Sequence, residues 1–259
     1  MCTLILGVDV TGPHTVIVGA NRDEDPARPS DPPGVLRHEP RVVGGRDRRA
    51  GGTWLAVRAA RALVAMLNRR DDGTAPQGPR SRGLLALETA GAGAVGAPLE
   101  GRALARAALD HALAGLQTDA YAPFSMVFAA PGASWMIAYQ PGRPPRVADI
   151  PAGWHVLTHA ELDDPAEPRA ARLLGEIAAW RPPSLEHASL GLAERLREHG
   201  GPGDAVCIHE GRMVTVSSSR VWLAPGAARY VHIEGRPCVG AESDLTPLLT
   251  GEPHVQEPS

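Results

Sequence analysis

A cysteine stands at position 2, directly after the initiator Met. Removal of Met1 is the usual fate of a chain whose second residue is small, and it would leave the α-amino group and the thiol on one residue. A free α-amine has a pKa of about 8 and a cysteine thiol one of about 8.5. The neutral amine can therefore serve as local base for its own side chain, which is nucleophile-plus-base chemistry without histidine or lysine. The bland alternative is a small residue buried at the start of a strand. A second polar group lies at Asn21-Arg22-Asp23-Glu24. An arginine beside a thiol favours thiolate, and a carboxylate there can hold the α-ammonium. On charge content alone the same run reads as a solvated turn.

The elements needed to bring these groups together are visible. Residues 2–10 and 14–20 are β-branched runs joined by Thr11-Gly12-Pro13, a hairpin signal. The end of its second strand returns beside Cys2 and carries residues 21–24 with it. Five prolines among residues 25–41 predict a long irregular loop bordering the site. Strands are expected at 42–43, 53–57 and 62–68, and helices at about 82–90 and 100–116. Strands follow at 124–129, 134–139, 146–150 and 155–158. The clearest helix spans 166–180, with Ala170, Leu173, Leu174, Ile177 and Ala178 on one stripe. Ser184 is placed to cap a helix running to His199, and strands close the chain at 206–209, 213–223 and 229–233. Strands and helices in segregated runs predict an α+β fold with antiparallel sheets. One domain is expected over 1–250, with a flexible tail at 251–259.

The composition excludes several functions. All 26 basic residues are arginine, so a P-loop lysine, a Schiff-base lysine and a Ser-Lys dyad are ruled out. A formal charge of -3 gives no nucleic-acid footprint. Three cysteines without a CxxC spacing suit neither a disulfide scaffold nor a zinc or redox motif, and point to a reducing cytoplasm. No metal site and no membrane span are expected. His155 and His159 are four apart on an expected strand, about 13 Å, too far to share an ion. Cys207 reads as an inert buried thiol, Cys238 as either buried or exposed, and Trp54 as a packing residue rather than a ligand stack.

The ordered segments MCT at 1–3, NRDE at 21–24, GGRDRRAGGTWLAV at 44–57, LNRR at 67–70 and HVLTHAELDDP at 155–165 resemble the NRDE family, also called the transport and Golgi organization family. That family is similar to N-terminal-nucleophile hydrolases of the bile salt hydrolase and penicillin V acylase type. The resemblance implies a four-layer αββα sandwich and a hydrolase of carbon–nitrogen or thioester acyl bonds, with no cofactor and a small-molecule acyl substrate. It implies Cys2 as nucleophile, Arg22 and Asp23 as its neighbours, and Asn68 as oxyanion donor, with Asn21 or Glu24 as alternatives in the polar run. His159 stands where the family has asparagine, a departure that touches the second polar position. Arg220 ends a serine-rich run comparable to one in the hydrolase group. The rival implication is a non-catalytic carrier of a hydrophobic ligand such as haem, lipid or acyl-CoA, with Cys2 and His159 as binding groups.

Overall fold

The computed structural model describes residues 2–73, 75–76, 78–93, 99–201 and 203–251. The tail expected at 251–259 lies outside the described residues from 252 onward. The chain opens with β1 (Thr3–Val8) and β2 (Val16–Glu24), the expected hairpin, with Thr3 opposite Asn21. β3 (Ser30–His38), β4 (Arg41–Asp47), β5 (Leu55–Arg58) and β6 (Ala62–Asn68) follow. Then come α1 (Arg82–Ala90) and α2 (Gly101–Thr118). Four strands return: β7 (Phe124–Ala130), β8 (Ala133–Tyr139), β9 (Arg146–Asp149) and β10 (Gly153–Leu157). α3 (Pro168–Ile177) and α4 (Leu185–Leu196) precede β11 (Val214–Ala224), β12 (Ala227–Glu234), the short β13 (Ser243–Asp244) and α5 (Thr246–Thr250).

The strands form two antiparallel sheets. One runs β10-β1-β2-β11-β12-β13, the other β3 through β9 in sequence order. Period-two burial explains the layering. On β1, Leu4 and Leu6 face the second sheet and pack with Val43, Leu55, Val57 and Leu67. Ile5, between them, faces outward and packs with Leu173, Ile177 and Leu192 of α3 and α4. On the far side, Val64, Met66 and Phe128 turn their outer face to Leu85 and Leu104 of α1 and α2. Each central strand is thus apolar on both faces, and the result is an α+β, four-layer αββα sandwich.

Two expectations needed correction. Residues 25–41 do not form an irregular loop: 30–38 are β3. This strand is an edge with register shifts between Asp31 and Gly34 and between Val35 and Arg37, the setting in which prolines are tolerated in a sheet. Residues 206–209 do not form a strand. The Val206 and Cys207 amides donate instead to the Glu198 carbonyl, at 3.2 and 2.8 Å, so the segment folds back on the end of α4. Helix caps follow the sequence more closely, with the Ser184 hydroxyl accepting from the His187 amide. Among the described residues, no helix is long and apolar enough to cross a membrane.

Candidate functional site

β1 and β2 are neighbours in the middle of their sheet, and the site sits where they end. Because Thr3 pairs with Asn21, the next residues on β2 run past Cys2. The Cys2 thiol donates to the Asp23 carbonyl at 3.8 Å. A register shift between Thr215 and Ser217 on β11 sits opposite this stretch of β2, a common device for re-aiming a side chain beside a site.

Alternation then splits the polar run into two sides. Asn21 faces the helices: its amide donates to the carbonyls of Leu196 and Val206 at 2.8 and 3.0 Å. It is a buried fastener and lies away from the cleft. Arg22 faces the other sheet. Its guanidinium lies 4.1 Å from the centre of the Trp54 ring, donates to Ser30 Oγ at 3.0 Å and sits 3.6 and 3.8 Å from Asp47 and Glu24. Asp23 is wholly enclosed. Its Oδ1 accepts from Thr215 Oγ1 at 2.6 Å, and its Oδ2 lies 3.7 Å from Arg169 Nη1. Arg169, in the first turn of α3, also donates to Thr3 Oγ1 at 2.8 Å.

The environment shapes the acid–base state of both groups. Burial pushes the Cys2 thiol above its ordinary pKa, and the neighbouring Asp23 charge adds to this. Burial likewise raises the Asp23 carboxyl, against the lowering effects of Thr215 and Arg169. Both shifts favour the uncharged forms of these two groups.

Cys2, Arg22, Asp23, Glu24 and Asn68 line one cleft of about 270 Å³. Asn68 is exposed at the end of β6, so its amide is available. Arg28 and Asp47 close one wall, paired at 2.6 Å. Arg82, at the start of α1, forms another wall and donates to the Pro123 carbonyl at 2.8 Å. Gly52 and Gly83 let these walls meet. A Cβ on Gly52 would stand 2.1 Å from the Gly83 carbonyl carbon, and the Thr53 amide donates to Gly83 O at 3.0 Å.

The remaining candidates lie elsewhere. His159 lines a separate cleft with Arg70, Glu161 and Glu167. Its Nε2 is 2.9 Å from Arg70 Nη2, and burial with that guanidinium lowers its pKa. Arg220 points to the helix layer, donating to the Ser189 carbonyl at 3.0 Å and pairing with Glu242 at 2.6 Å. His155 pairs with Asp163 at 2.7 Å. Sequence reasoning missed Arg169, Thr215 and Arg82. Each comes from a segment far from Cys2 in the chain, so only the tertiary fold could reveal it. Trp54, read as packing, is a packing residue whose partner is a cation of the cleft.

The family described as Transport and Golgi organisation 2 matches residues 1–187. No curated protein matches the sequence. Among solved structures, the chain is similar to a Caenorhabditis elegans ortholog of N-acylethanolamine-hydrolyzing acid amidase. The TM-score is 0.57 at 15% identity, covering 87% of this chain and 94% of that one. It is also similar to a mutant conjugated bile acid hydrolase from Clostridium perfringens. There the TM-score is 0.52 at 12% identity, covering 98% of this chain and 95% of the other. At these identities the likeness is one of fold.

Proposed function

Since the chain belongs to the Transport and Golgi organisation 2 family, we propose that it is a hydrolase with an N-terminal cysteine nucleophile, cutting an amide or thioester acyl bond of a small molecule. The observation that supports this best is the half-buried Cys2 thiol, set against Asp23 in a cleft that also holds an exposed asparagine amide.

With Met1 removed, the neutral α-amine of Cys2 takes the thiol proton. Sγ attacks the acyl carbon, and negative charge moves to the carbonyl oxygen. The Asn68 amide donates to that oxygen, a contact worth on the order of 3 kcal/mol in the barrier. The leaving amine or thiol departs with the proton, and water then hydrolyses the thioester on Cys2. Asp23 holds the α-ammonium from the deprotonation of the thiol until that proton leaves with the amine or thiol, and the freed α-amine then takes a proton from the attacking water. Arg22, fixed by Trp54 and Ser30, supplies positive potential at the sulfur.

A carrier of haem or another hydrophobic ligand, joining Cys2 and His159, finds less support because the two residues line different clefts. Intact-protein mass tests the reading. A chain lacking Met1 that gains an acyl adduct from a panel of amide and thioester donors, and loses it in Cys2→Ser, supports the hydrolase. Retention of Met1 overturns it.

A further inference from the structure

Beyond Thr215, three segments of the chain bring two cysteines and two histidines together. His199 follows α4, Cys207 and His209 flank Ile208 on the approach to β11, and Cys238 lies in the turn after β12. One ligand atom from each lies within 4.8 Å of the others. Cys207 Sγ is 3.7 Å from Cys238 Sγ and 3.5 Å from His209 Nε2. His209 Nε2 is 3.2 Å from Cys238 Sγ. The His199 and His209 rings meet edge to face at 4.4 Å. A tetrahedron with bonds of about 2.3 Å to sulfur and about 2.05 Å to nitrogen has sulfur–sulfur edges of about 3.8 Å and sulfur–nitrogen edges of about 3.5 Å.

We propose that His199, Cys207, His209 and Cys238 form a tetrahedral site for one divalent transition-metal ion of the zinc class. Two sulfur and two imidazole donors suit such an ion and disfavour calcium or magnesium, which take oxygen ligands. The segments are already held in place. Asn21 fastens the carbonyls of Leu196 and Val206, and the Arg236 carbonyl accepts from the Gly240 amide at 2.9 Å around the Cys238 turn. Coordination through His209 Nε2 requires the proton on Nδ1. Arg236 Nη1, now 3.2 Å from Nδ1, has no acceptor for it, so its exposed side chain turns away on loading. A carboxylate there would accept the Nδ1 proton and strengthen the ligand. All four ligands lie past residue 187, where the family match ends, and the site stands independently of the chemistry at Cys2.

The test uses the full chain, reduced and stripped with chelator. Co²⁺ is added first, followed by displacement with Zn²⁺, and bound metal is counted by mass spectrometry. The expected result is one equivalent of metal, thiolate-to-cobalt charge transfer and tetrahedral ligand-field bands. Zn²⁺ at a hundredfold excess over Kd should raise Tm by about 5 °C. Cys238→Ser and the exposed-site variant His199→Ala should weaken binding at least about 100-fold, Arg236→Glu should tighten it, and Cys2→Ser should leave it unchanged. Absence of stoichiometric uptake by the reduced protein overturns the proposal. So does uptake that survives His199→Ala and Cys238→Ser, or a Cys207–Cys238 disulfide whose reduction confers no metal binding.

Discussion

The Thr215 hydroxyl donates to Asp23 Oδ1 at 2.6 Å while accepting from the Ile208 amide at 2.8 Å. One side chain thus connects the carboxylate beside Cys2 to the loop that carries Cys207 and His209. Thr215→Val keeps the shape and removes both bonds. It should destabilise the fold by about 2 kcal/mol in urea unfolding, because a half-buried amide and a buried carboxylate each lose a partner. It should also slow acylation of Cys2.

Asn21 and Asp23 should separate by phenotype. Asn21→Ala removes two buried donations to the Leu196 and Val206 carbonyls and should cost about 2 kcal/mol of stability. Alkylation of Cys2 by iodoacetamide in the folded protein should be unaffected. Equal loss of stability and of Cys2 reactivity would count against the division of labour along β2.

Reactivity of Cys2 should depend on pH in a definite direction. Burial first, and the Asp23 charge second, raise the thiol pKa, so the alkylation midpoint should lie above the value of about 8.5 for a free cysteine. Asp23→Asn removes the negative charge and should bring the midpoint down. A midpoint unmoved by this substitution would show that desolvation alone sets it.

Arg22→Lys should not behave as a conservative change. Lysine cannot stack its charge on Trp54 as a planar guanidinium does, nor reach Ser30, Glu24 and Asp47 from one fork. Acylation should fall at least about tenfold, the order expected for a displaced cation at a reacting sulfur, and Trp54 fluorescence should shift as its face loses the cation.

The His155–Asp163 pair gives stability its own pH profile. Burial disfavours charge on His155, but the Asp163 and Pro151 contacts outweigh it and the pKa is raised. Below the unfolded value of about 6.5 the contribution is complete, and it fades as pH climbs through the raised folded value. His155→Gln should flatten the fall in unfolding free energy over this window, measured by urea titration at roughly pH 6 and pH 8.

Much of this was legible in the sequence, for a local reason. The hairpin of β1 and β2 is made of β-branched runs with a strong turn between them, so the return of residues 21–24 to Cys2 could be read without tertiary information. The helix stripe at Ala170, Leu173 and Ile177 is equally local and becomes the face that packs on β10. β3 was hidden because an edge strand with register shifts needs neither alternation nor freedom from proline. The supports of Asp23 were hidden for another reason. Thr215 and Arg169 are remote in sequence, and neither belongs to a spacing pattern. The cysteine–histidine cluster escaped likewise, since its members are separated by eight, two and twenty-nine residues and meet only through the α4 turn and the β12 turn.

The two open edges of the seven-stranded sheet are β3 and β9. Pro32 and Pro33 offer no amide at one edge, and at the other every residue of β9 is exposed, with Arg146 and Asp149 at its ends. A neighbouring chain that approached either ladder would meet missing donors or fixed charge. The sequence guards itself against self-templated growth at both margins.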